Sequence, residues 1–213
     1  GEHKTEDMLG NATLEWKHSW GIHSIAATAM TEYQKSKHSG FWTLVKGFTT
    51  NELGYDNLAA ASTRPYGGTG SDYTESSLAS AMGSVSYTLM KRYTVAGNMR
   101  ADGSSMFGKN NKWGIFPSIS GTWDVAAEPF FIRLRKLINI FKIRMGYGLS
   151  GNLGGIDPYN SIKLVQPTDI ISYNGSPTAT MGQFRNANPD LRWETKSTFN
   201  LGTDISFWKN RVI

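Results

Sequence analysis

The sequence predicts an all-β chain of antiparallel, up-and-down strands: part of the wall of a transmembrane β-barrel, about seven to eight strands with long loops at one end. Three observations carry this reading: polar–apolar alternation at period two, tight turns that alternate with long connections, and two tryptophans set far apart on one strand face. Composition narrows the alternatives. The 213 residues hold no cysteine, which excludes disulfide scaffolds, cysteine zinc sites and thiol nucleophiles. Ten Phe, seven Trp, nine Tyr and 23 Gly accompany only 18% charged residues, so the chain is not disordered by composition. No run approaches the length of a membrane helix, which says nothing against strands that cross a membrane.

Along the chain, weaker alternation first marks strands over residues 9–16 and 20–33. Val85, Tyr87 and Leu89 end a third strand, and Tyr93, Val95 and Met99 run along a fourth. Trp113, Ile115, Ile119 and Trp123 share one parity of the next, interrupted by Pro117, which implies a bulge or a stretch beyond the bilayer rim. Residues 128–139 are the best helix candidate, with Pro129 near the first turn. Phe141, Ile143, Met145, Tyr147 and Leu149 then alternate with Lys142, Arg144, Gly146, Gly148 and Ser150, a strand with one apolar face. A last strand, residues 191–207, carries an unbroken non-apolar face from Arg192 to Ser206.

Connection lengths point the same way. Lys17-His18-Ser19, Met90-Lys91-Arg92 and Lys209-Asn210 read as tight turns, whereas residues 34–77, 103–112 and 151–190 read as long loops. Short turns at one end and long extracellular loops at the other are the pattern of a bacterial outer-membrane barrel. Trp113 and Trp123 lie ten residues apart, about 33 Å along an extended strand, or roughly 23 Å along the membrane normal at a tilt of about 45°. That matches the apolar band between two aromatic girdles. A soluble, glycan-binding β-sandwich shares the alternation and stays the alternative of another class.

Catalytic and cofactor signals are weak. His3, His18, His23 and His38 lack metal-ligand spacing, and no nucleophile elbow or dyad is visible. Residues 146–151 match the dinucleotide fingerprint formally, but residues 152–158 do not open a helix. No enzyme, cofactor or metal is expected. The pI near 9.3 and the basic residues Arg133, Arg135, Lys136, Lys142 and Arg144 come without any nucleic-acid motif, so no nucleic acid is expected either.

Four motifs stand in order: residues 100–108 (RADGSSMFG), 113–118 (WGIFPS), 147–152 (YGLSGN) and 188–194 (NPDLRWE). Together they resemble the barrel of SusC/RagA-type TonB-linked outer-membrane proteins. Met106 departs from the pattern, because the family usually places a basic residue there. The resemblance implies an outer-membrane barrel of about 22 strands closed around a plug. It also implies a SusD-like surface lipoprotein as lid, the TonB complex as energy source, and an oligosaccharide or peptide as cargo. Residues 1–213 would then be part of one barrel domain of a longer protein, with the plug and the remaining strands lying outside it. A TonB-dependent receptor for siderophores or another metal chelate is the alternative within the fold.

Within this reading Trp113, Trp123, Phe141, Ile143, Met145, Tyr147 and Leu149 face outer-membrane lipid. Arg100, Asp102, Asp124, Lys142, Arg144, Glu194, Lys196 and Asp204 face the lumen or the plug, or pair with one another across strands. Trp42, Tyr55, Tyr66, Tyr73, Tyr159 and Tyr173, placed in the long loops, are candidates to stack on cargo or to touch the lid.

Overall fold

The computed structural model describes residues 1–50, 52, 54–65 and 67–208. Seven strands form one antiparallel sheet: β1 (Glu2–Trp20), β2 (His23–Thr43), β3 (Thr69–Leu89), β4 (Tyr93–Ser104), β5 (Trp113–Asp124), β6 (Ile138–Asn152) and β9 (Glu194–Phe207). They lie side by side in chain order, the up-and-down arrangement that short hairpin turns allow. The remaining two, β7 (Leu164–Tyr173) and β8 (Ser176–Arg185), pair only with each other. β1 and β9 leave the sheet open at both sides. Among the described residues no second sheet covers either face, so the two packed layers of a soluble sandwich are not formed.

Several boundaries differ from the sequence reading. The first tight turn is at residues 21–22 rather than 17–19, because Lys17, His18 and Ser19 remain paired with Ala26, Ile25 and Ser24. The His18 ring stacks between Trp16 and Trp20, at 5.9 and 5.5 Å, and this carries the strand through a polar tripeptide. The turn at residues 90–92 is as expected. Met90 and Lys91 take φ of 51° and 58°, the left-handed pair that matches strand twist. β2 and β3 reach Thr43 and Thr69, so the loop expected over residues 34–77 shrinks to 44–68. Most residues there are polar on both faces, and Phe41 and Trp42 are adjacent rather than alternating, so the period-two trace vanishes from the sequence although pairing continues. The loop over residues 151–190 contains the β7–β8 hairpin. The expected turn at Lys209-Asn210 lies outside the described residues.

The helix expected over residues 128–139 does not form. Three short 3-10 turns, Val125–Ala127, Pro129–Phe131 and Leu134–Lys136, lead directly into β6. None has a side-chain cap, and a segment this short does not repay helix nucleation on its own. Tertiary packing decides instead. Val125, Ala126 and Phe131 are buried against Ile138, Phe141 and Ile143, so this segment folds over the apolar face of β6.

Cross-strand register sorts the sheet into two faces. On the apolar face, every row from Trp20 and Trp123 to Tyr33 and Trp113 lacks Asp, Glu, Lys and Arg. The next row brings Lys35, and beyond it Glu6, Lys37 and Glu75. Few apolar side chains are buried, whereas Val85, Met99, Ile119, Met145, Tyr147, Phe199 and Leu201 are all exposed on this face.

Pro117 sits inside β5, paired with Met99 of β4. On its other side the β5–β6 ladder runs only from Asp124–Lys142 to Ser118–Gly148, and then stops. A proline has no N–H to continue it. No bulge is needed, because the pairing ends.

Candidate functional site

The four motifs converge at this interrupted seam. Phe116, an apolar residue on the polar parity of β5, is 5% exposed, and Phe107 is 1% exposed. The Trp193 ring packs on Phe107 at 4.8 Å and meets Phe116 edge-on at 5.5 Å. Its indole N–H donates to the Lys112 carbonyl at 3.0 Å. The Gly108 amide donates to the Leu191 carbonyl at 3.1 Å, and a Cβ on Gly108 would collide with the Pro189 carbonyl. Gly151 of β6 likewise leaves space that the Phe116 ring fills. The seam lost by backbone at Pro117 is therefore closed by rings from three motifs, against a glycine of the fourth.

Beside this node a cleft of about 540 Å³ opens on the polar face, lined by Asn98, Arg100, Asp102, Phe116, Ser118 and Trp193 among others. The Arg100 guanidinium donates through Nε to Asp102 at 2.8 Å and through Nη2 to Ser80 Oγ at 3.1 Å. Asp102 and Ser80 are both buried. At the other end of this face Arg144 contacts Asp204 at 2.6 Å, and Lys142 lies 3.8 Å from Asp124. Glu194 accepts from the Asn152 amide at 3.0 Å. Lys196 is exposed on the same face, opposite Ser150. The eight charged residues singled out in the sequence thus share one face, and most are engaged across or along strands.

The loop aromatics scatter. Trp42 and Tyr73 are strand residues, because β2 and β3 are longer than the alternation shows. The Trp42 ring lies across Gly70. Tyr73 donates to Glu75 at 2.8 Å, and the Tyr159 hydroxyl accepts the Glu75 amide at 3.1 Å, so these two meet. Lys35 completes that group with a 2.6 Å contact to Glu75. Tyr55 is 87% exposed, and Tyr173 is exposed at the start of the β7–β8 turn. Tyr66 lies outside the described residues.

A second organised site lies at the tight-turn rim, where no sequence motif marks it. Glu128, 5% exposed, accepts from the Tyr93 hydroxyl at 2.5 Å, the Trp123 indole at 3.1 Å and Arg92 at 3.2 Å. Hydrogen bonds from Tyr93 and Trp123, with the Arg92 charge, hold its carboxyl below the ordinary glutamate range. Nearby, Trp16, His18, Trp20, His23 and Tyr87 form a run of stacked rings. No group of three or more His, Asp or Glu is set to hold a metal ion among the described residues.

A one-layer sheet with a charge-free band on one face and a charged opposite face defines a wall section of a β-barrel that crosses a membrane. The chain belongs to the TonB dependent receptor-like β-barrel family, which it matches over residues 4–212, and it is of the SusC/RagA type. It is 32% identical to TonB-dependent receptor P3 of Formosa agariphila over 98% of its own length and 20% of that protein's. It is 33% identical to TonB-dependent receptor SusC of Bacteroides thetaiotaomicron over 65% of this chain and 14% of SusC. Among solved structures, the RagAB peptide transporter superposes with a TM-score of 0.86 at 26% identity, over 98% of this chain and 22% of the RagAB chain. The siderophore receptor PirA of Acinetobacter baumannii matches at a TM-score of 0.53 and 17% identity, over 98% of this chain and 25% of PirA, a likeness of fold alone. The chain spans about a fifth, or less, of its curated relatives. These relatives are named as receptors rather than enzymes, and barrels of this family sit in the outer membrane.

Proposed function

We propose that the chain is part of the wall of a TonB-dependent importer that takes an oligosaccharide or a peptide across the outer membrane. It works with a SusD-like surface lipoprotein as lid, the TonB complex as drive, and no catalytic chemistry. The charge-free band supports this most directly: Trp113, Trp123, Phe141, Ile143, Met145, Tyr147 and Leu149 share the face that meets lipid. Phe141 and Ile143 lie on that same face but are covered by the 125–137 segment, which stands between them and lipid. The opposite face, with Arg100, Asp102, Asp124, Lys142, Arg144, Glu194, Lys196 and Asp204, lines the lumen around a plug. Residues 1–213 are one stretch of a single barrel domain. Trp42, Tyr55 and Tyr173, exposed on the long-loop side, offer ring faces to cargo or lid.

Uptake by cells expressing the full-length receptor tests the reading, with and without its lipoprotein partner, on labelled oligosaccharides, peptides and chelated iron. Lipoprotein-dependent uptake of a glycan or peptide is expected. Uptake of chelated iron alone would move the protein to the siderophore class.

A further inference from the structure

The segment between β5 and β6 is an unusual connection at the tight-turn end, and it has two sides. Inward, Phe131 packs on Phe141 at 5.8 Å, and Glu128 is held by Trp123 and Tyr93, all on the apolar face of the sheet. Arg135 donates to the Ala126 carbonyl and braces the segment internally. Away from the sheet, Phe130, Ile132, Leu134 and Leu137 are 68, 60, 50 and 45% exposed, a density of bare apolar side chains that water penalises. Arg133 and Lys136 are interleaved with them, also exposed, and neither has an acidic partner among the described residues.

We propose that residues 125–137 form an interfacial foot, seated in the headgroup layer of the membrane leaflet at the tight-turn end. Its apolar side chains enter the acyl boundary, and Arg133 and Lys136 bind the phosphates of anionic phospholipids. This rests on the apolar face meeting lipid, as proposed above. Continuity argues for lipid over a protein partner: the foot adjoins the charge-free band at the height of Trp123, where interfacial aromatic residues sit. Alternating apolar and basic residues also match an anionic interface, with an oily layer beneath a negative one.

The test uses the full-length receptor in nanodiscs. This chain has no cysteine, so Ile132→Cys and Phe130→Cys can carry a nitroxide, once any cysteines elsewhere in the receptor are replaced. Ile119→Cys serves as control in the middle of the band. High oxygen and low nickel-chelate accessibility at all three positions is expected. A probe at 119 in lipid, with those at 130 and 132 open to the chelate or shielded from both reagents, would overturn the foot and leave the barrel orientation standing. A probe at 119 out of lipid would overturn both. Native mass spectrometry supplies the headgroup readout. The double variant Arg133→Gln/Lys136→Gln should retain phosphatidylglycerol roughly tenfold to thirtyfold less well at low salt, with phosphatidylcholine unchanged. Equal retention of phosphatidylglycerol by the variant and the parent would refute the phosphate contacts.

Discussion

Trp193, just ahead of β9, packs its ring on Phe107 at 4.8 Å while its indole N–H reaches the Lys112 carbonyl. This couples the chain after the β7–β8 hairpin to the loop between β4 and β5, across more than eighty residues of sequence.

Trp193→Ala should therefore cost about 3–5 kcal/mol, the usual range for removing a packed large aromatic ring. Phe116→Ala should cost a similar amount and be less than additive with it, because the rings touch. Thermal midpoints of the full-length receptor in detergent check this.

Asp102→Ala should lower stability by about 1–2 kcal/mol, by leaving Arg100 without its carboxylate. The penalty is limited because the Arg100 side chain is 41% exposed and water takes over part of the role. Replacing both residues should recover some of the loss, as a double-mutant cycle would read.

The Glu128 carboxyl titrates below its ordinary range when folded. Its contribution is fully present at pH values above the unfolded glutamate pKa of about 4.3. It falls as the unfolded form takes up its proton first, and is gone below the lower folded value. Thermal midpoints at pH 7 and pH 3.5 should converge more in Glu128→Gln than in the parent, since the amide cannot titrate.

Ile119→Lys puts a charge in the middle of the apolar face and should cost about 2–4 kcal/mol and impair assembly in the membrane. Ser120→Lys, one residue on, should be tolerated on the polar face. Heat-modifiable mobility of membrane extracts separates the two outcomes.

Much of the fold was legible where one strand face must be apolar. β5 and β6 declare themselves through Trp113, Ile119, Met145 and Tyr147, and the turn at 90–92 is marked by the point where alternation restarts. Legibility failed where neither face is consistently apolar, as in the stretches of β2 and β3 ending at Thr43 and beginning at Thr69: pairing there is made by backbone and leaves no periodic trace. It also failed over residues 128–139, whose three-and-four spacing looks helical although Phe131 and Glu128 are fixed by strands outside the segment. The charged residues of the polar face were identifiable by parity alone. The aromatic node was hidden because Phe116 breaks the alternation, an anomaly that on its own could have flagged it.

Backbone pairing between strands is indifferent to which side chains the strands carry, so most seams of this wall tolerate any alternating sequence. The seam beyond Ser118 is different: with the ladder ended at Pro117, its closure is spelled in particular side chains, Phe107, Phe116 and Trp193, and in the bare backbone of Gly151. The four motifs gather at this place, where the wall depends on residue identity as well as on pattern.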